Sequence, residues 1–311
     1  KQITLGLVTG ERFDLIKVTD GTQSLRTSRA VQIHLERRRQ NIFDCFKAFD
    51  YPAAISWLEE TLVLPDVGSG KRAVLQVWLS LARALDSWDK FDHASAWNLL
   101  HSHRARYTEL VMFLEAVIWS RKRLDADFGQ QELLGLTASP KGHGYEAVED
   151  LFLNAQRRTA QGRFDDAVAR IYRALELLAQ TRLKLGYNID TGDVSLEYLP
   201  PELKEQYQEL ADSKGKISLP LTPAFELLAK LADSCDEPLG VLYKQHRNQM
   251  KDFLSIRNKS LLAHGFTPVR AENYDKANSF FALLMDKAFE GLGLKSYATR
   301  IQFPLNPEGK Y

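Results

Sequence analysis

From about residue 31 to the C-terminus, apolar side chains return every three to four positions almost without interruption, the period of a helix with one buried face. Between Lys17 and the closing stretch RIQFPLNPEGKY, no segment alternates apolar and polar residues as a half-buried strand would. The spacing predicts helices over 28–48, 52–63, 71–87, 91–102, 106–124, 145–161, 164–185, 201–212, 222–234, 238–264 and 271–291. The fold class expected is mainly α: a helical-hairpin region followed by a helical bundle, with a short N-terminal β-strand pair.

That pair is read in KQITLGLVTGERFDLIKVTDGTQ as two strands over residues 3–19 joined at Gly10-Glu11. Two strands alone are marginal in water, and the chain opens on Lys1 rather than methionine. The expectation is therefore that residues 1–30 are a linker or the tail of a preceding domain in a larger protein. The Gly- and Pro-containing stretch LLGLTASPKGHGYE, residues 133–146, separates two helical blocks and gives domains of 31–140 and 141–311. The polar segments 185–203 and 213–223 are loops able to shape a cleft.

Within the helices a weak echo recurs at Phe49-Asp50, Phe91-Asp92 and Phe164-Asp165. Each is an aromatic, then an Asp suited to N-capping, then an Ala-containing helix. The intervals of 42 and 73 residues have no common period, so helical hairpins are expected rather than a repeat array.

Forty-one Lys and Arg against 40 Asp and Glu leave a net charge of +1, which provides no global field for nucleic acid; any polyanion site must be local. Cys45 and Cys235 belong to no Cys-x-x-Cys pair, which argues against a disulfide framework or zinc knuckle and fits a reducing cytoplasm. No apolar run is long enough to span a membrane, and no signal peptide is evident at the N-terminus. VGSGKR, residues 67–72, fails as a phosphate loop because Pro65 stands at the first glycine and Arg72 at the Mg²⁺-binding hydroxyl. His101 and His103, two apart on a helix, do not share a face and read as a surface pair. LERRRQ, residues 35–40, reads as a solvated helix face.

RNKSLLAHG, residues 257–265, carries chemistry. Arg257 and His264 are seven apart, which on one helix returns them to nearly the same face, about 10 Å apart along the axis. Gly265 and Pro268 are helix stop signals that put His264 in the last turn, where the dipole favours the imidazolium. A histidine that cycles its proton beside a permanently charged arginine suits acid–base work on a phosphodiester, and Asn258 adds an uncharged donor and acceptor. Chance pairing on a polar helix end is the competing explanation.

SIRNKSLLAHGF resembles the signature of the HEPN superfamily, in which an arginine and a polar residue precede a histidine at a spacing of four to six residues. Arg257, Asn258 and His264 match it, at the longer spacing. The stretch NAQRRTAQGRFDDAVARIYRALELLAQTRL, residues 154–183, resembles the first long helix of that family as it occurs in CRISPR-associated proteins, so the likeness covers roughly 145–295. It implies a metal-independent endoribonuclease with no cofactor, acting on single-stranded RNA and not DNA. The RNA 2′-OH would attack the adjacent phosphate to leave a 2′,3′-cyclic phosphate. His264 would move the proton, Arg257 would stabilise phosphoryl charge and Asn258 would orient the phosphate or the histidine.

It also implies a homodimer with a composite site. Type III CRISPR relatives carry in addition a CARF domain that senses cyclic oligoadenylate, and no such domain is recognisable in this chain. A toxin-type HEPN ribonuclease restrained by a protein partner, and a non-catalytic dimerising scaffold, remain open. Arg163, Arg170 and Arg173 share one face of the 164–185 helix, opposite Val168, Ile171, Leu175 and Leu178. They either track RNA or are a solvated stripe. Tyr172 and Glu176, an i,i+4 pair, are candidates to support the motif but are left outside the site.

Overall fold

The computed structural model describes the backbone of residues 12–13, 17–18, 24–297 and 301–309, and the side chains of 31–297 and 301–309. The chain divides into two compact units, Lys1–Phe91 with Pro304–Lys310, and Asp92–Phe303. The stretch 133–146 lies inside the second unit.

The N-terminal strand pair is not supported as an element. What is described there is a two-rung antiparallel ladder, Arg12 to Val18 and Phe13 to Lys17. Both rungs fall within the segment expected to be the second strand, and Gly10-Glu11 lie outside the described residues. Strands of two residues are too short to bury a face, so the helices carry the fold.

In the first unit, α1 (Ser24–Lys47), α2 (Tyr51–Leu62) and α3 (Ser69–Asp89) pack as successive hairpins. The echo seen in the sequence has a backbone cause at two of its three places. Phe49 and Phe91 adopt left-handed φ values of 53° and 62°. The following Asp50 and Asp92 then cap α2 and the helix that begins at His93 by accepting from Ala53 N at 3.1 Å and Ser95 N at 3.0 Å. At the third place the left-handed residue is Gly162, and Arg163 is the cap position. Arg72 bonds the carbonyls of Leu62, Leu64 and Val67, closing the α2–α3 loop from within.

The second unit comprises α4 (His93–Leu100), a 3₁₀ turn at His101–His103, α5 (Thr108–Leu124), α6 (Ala126–Gly129), α7 (Glu146–Ala160), α8 (Phe164–Tyr187), α9 (Pro201–Gln208), α10 (Leu221–Ser234), α11 (Pro238–Gln245), α12 (Arg247–Lys259) and α13 (Ala271–Gly291). α8 is its centre, packing on α7, α10, α12 and α13. Val168, Ile171, Leu175 and Leu178 are fully buried, as the sequence pattern requires. α8 ends on left-handed Asn188, with Ile189 N donating to Leu183 O at 3.0 Å in a Schellman-type closure. α5 joins α7 through Ser120 Oγ, which donates to Gly144 O at 2.8 Å and accepts from Ala147 N at 3.3 Å.

Just before α7, His143 lies 3.3 Å from both Glu146 and Glu149. Glu149 in turn accepts from Ser296 Oγ at 2.6 Å and Tyr297 N at 2.5 Å, tying the segment after α13 to α7. Burial alone would push His143 down, but the Glu149 bond and the two carboxylate charges outweigh it and leave the imidazolium favoured. Burial pushes Glu146 up. A histidine raised by folding stabilises fully below its ordinary value of 6.5, and loses that contribution as pH climbs through the raised value. Glu146 works in the same sense from its ordinary 4.5 upward. Thermal stability is therefore expected to fall as pH rises above about 6.5, with a shallower slope in His143→Gln, as melting curves across that range would show.

Candidate active site

The inner face of α12 is set by Met250 and Phe253, both buried, with Phe253 6.1 Å from Phe280 of α13. Arg257 follows one turn later on the same side. Its guanidinium carbon sits 4.4 Å from the ring centroid of Tyr172 on α8, within cation–π range. Its Nη1 donates to Asn258 Oδ1 at 3.1 Å. Arginine can only donate, so the amide oxygen must face it, and the amide NH₂ is left to donate elsewhere. Among the described residues no carboxylate lies within ion-pairing distance of Arg257.

The arginines of α8 behave otherwise. Arg163 pairs with Asp166, Arg170 bonds Asn154 and Asp166, and Arg173 reaches Glu176 at 2.7 Å and Gln180 at 2.9 Å. Those bonds favour the structural explanation of that stripe over an RNA track. They also take up Glu176, whereas Tyr172 proves to be a direct partner of the motif.

His264 departs from its expected place. The helix expected over 238–264 is two helices, interrupted at His246 and ended at Lys259, where Ser260 turns extended at φ −71°, ψ 154°. His264 therefore does not share a helix with Arg257, and the one-face spacing and last-turn dipole do not apply to it. Ala263 N and Gly265 N both donate to Ser260 O at 3.1 Å, while Thr267 N takes the Lys259 carbonyl at 3.0 Å. The chain doubles back over the helix end, and a Cβ on residue 265 would stand 2.1 Å from Lys259 O, so only glycine fits. The apolar run that extended the helical pattern is not core: Leu261, Leu262 and Phe266 are 61%, 57% and 91% exposed. With no packing to reward another helical turn, the tight turn prevails. His264 is exposed and has no hydrogen-bond partner among the described residues.

The far end of this loop is pinned where buried Val269 donates its N–H to Asp165 Oδ2 at 3.1 Å. Asp165 is the residue of the third echo, and it caps the loop rather than its own helix. Arg257 and Asn258 are thus brought together with Tyr172, and His264 is presented beyond them on a loop held at both ends. A cation that no carboxylate neutralises among the described residues, an amide donor and an exposed imidazole can bind an oxyanion and transfer a proton. His101, whose Nδ1 faces Trp97 O at 2.8 Å, is occupied in local packing.

Residues 138–287 match the family model described as the Csm6 HEPN domain, a span that holds all three motif residues together with Asp165 and Tyr172. No curated protein matches the chain.

Proposed function

The chain is a CRISPR-associated HEPN-containing protein, and on that premise we propose that it is an endoribonuclease acting on single-stranded RNA in type III CRISPR defence. The observation that carries this reading is Arg257: partly buried, held by an aromatic face and an amide, and neutralised by no carboxylate among the described residues. The arginines of α8 find acids and Arg72 finds three carbonyls, whereas among the described residues Arg257 finds only a ring and the neighbouring amide. An arginine paired with no acid among the described residues, seven positions before an exposed histidine, is suited to a phosphate that arrives from outside.

In the proposed reaction the RNA 2′-OH attacks its own 3′-phosphate, with His264 moving the proton. Arg257 holds the non-bridging oxygens as negative charge grows on them, and the Asn258 NH₂ donates to the same group. Two protein groups supply the proton transfer and the charge stabilisation, so the step needs no metal. The products are a 2′,3′-cyclic phosphate and a 5′-hydroxyl.

Leu261, Leu262 and Phe266, on the same loop as the histidine, are exposed apolar residues. A second copy across a two-fold axis would cover them and bring a second Arg257–His264 set to the same cleft. Cyclic oligoadenylate bound to a CARF domain is the activator this family reading carries with it. Incubation with end-labelled single-stranded RNA in excess chelator tests the reading. Cleavage should persist, and complete dependence on added Mg²⁺ would overturn it.

A further inference from the structure

Because α12 ends at Lys259, no single helix fixes the distance from Arg257 to His264. The Ser260 and Lys259 carbonyls fold the His264 loop back on the helix end, and two further contacts, both from α8, hold Arg257 and the far end of that loop. Tyr172 lies under the Arg257 guanidinium, and Asp165 accepts from Val269 at the end of the His264 loop. These two residues are seven apart on α8, so they share a face, about 10 Å apart along its axis. We infer that α8 sets the geometry of the site, with Tyr172 positioning Arg257 and Asp165 positioning the loop of His264. The inference rests on the ribonuclease reading above and assigns two residues that the Arg–His motif does not contain.

The residue types suit those tasks. An arginine side chain has several free torsions, and a carboxylate partner would fix it only by cancelling the charge it must offer to phosphate. An aromatic face restrains the guanidinium and leaves its charge and its N–H fork available. Tyr172 is itself half-buried against the α8 core, so it is a rigid platform. Asp165 Oδ1 is buried without a hydrogen-bond partner, and the Val269 N–H is what Oδ2 receives. An unpartnered buried carboxylate oxygen is unfavourable. Closing the loop accounts for a side-chain acceptor here.

Four variants of the full chain, assayed on quenched fluorescent single-stranded RNA in chelator, test this. Tyr172→Leu and Asp165→Ala should lower kcat by about tenfold to a hundredfold, the usual cost of small misplacement, with KM close to the parent value. Tyr172→Phe keeps the ring and Asp165→Asn keeps the acceptor oxygen, and both should stay within about threefold of the parent. In an Arg257→Ala background, Tyr172→Leu should cost nothing further, because it acts through the arginine. Parent kcat in Tyr172→Leu, or equal losses in Tyr172→Leu and Tyr172→Phe, would overturn the inference. If Arg257→Ala and His264→Ala are inactive in that case, the ribonuclease reading stands without it. If those two cleave like the parent, the reading itself fails.

Discussion

Replacing His264 with alanine is expected to lower RNA cleavage by at least about a hundredfold, the usual size of a lost proton-transfer group, while leaving thermal unfolding unchanged. The two halves of that expectation come from the same geometry. His264 is exposed on the turn after α12 and has no hydrogen bond among the described residues, so its removal takes nothing from the fold. The loop is shaped by backbone bonds at Ser260, Lys259 and Asp165, none of which involves the imidazole.

Arg257→Ala should cost about as much or more, because it removes stabilisation of charge that develops in the transition state. It also gives up the packing on Tyr172. Arg257→Lys keeps a charge but loses the planar fork and should recover little. Initial rates in chelator, set beside melting curves of the same preparations, check all three. Equal rates for parent and His264→Ala would remove the histidine from the mechanism.

The largest stability effect is expected at Asp150, away from the motif. The inward face of α7 buries Glu146, Glu149, Asp150, Asn154 and Arg157. Asp150 Oδ2 lies 2.9 Å from His93 Nε2, and Arg121 Nη1 lies 2.9 Å from His93 Nδ1. Since the guanidinium only donates, Nδ1 must accept and Nε2 must carry the proton toward Asp150. A buried histidine next to a carboxylate invites comparison with a catalytic dyad. Here the nitrogen that would take a proton faces an arginine, so the pair links α4, α5 and α7 and does no proton transfer. Arg157, also buried, approaches Asp150 Oδ1 at 3.9 Å, donates to Gln302 at 2.8 Å and lies 3.7 Å from the Phe303 ring.

Asp150→Ala removes the buried carboxylate that faces His93 Nε2 and Arg157. Breaking a buried ionic partnership by removing one member costs about 3–5 kcal/mol, which for a unit of this size lowers the melting temperature by roughly 6–20 °C. Cleavage per folded molecule should be unchanged. A melting temperature within about 2 °C of the parent would show that the network carries little of the fold's stability.

The helices were legible because their apolar faces are real core faces. α13 lies at 271–291 as its spacing predicts, and the buried face of α8 is the one read from its sequence. The same rule failed at 260–264. Leu261 and Leu262 continue the helical period but are exposed among the described residues, and periodicity cannot tell a core-facing residue from an exposed one. Gly265 and Pro268 signalled that a stop was near without placing it.

Of the candidate site, Arg257, Asn258 and His264 were proposed from the motif, and the structure joins the first two through one hydrogen bond. Tyr172 and Asp165 carry no motif, and their link to it is made only when α8 packs beside α12. In the third echo, the Phe-Asp likeness concealed that Gly162, not the aromatic, takes the left-handed turn. That shift freed Asp165 from capping its own helix.

The most direct measurement is the chemistry of the cut ends. Single-stranded RNA cleaved by the full chain in excess chelator should carry 2′,3′-cyclic phosphates and 5′-hydroxyls, and these products should vanish together in Arg257→Ala and His264→Ala. Cut ends bearing 5′-phosphates, or cyclic ends formed equally by both variants, would contradict the assignment of Arg257 and His264 as the catalytic pair.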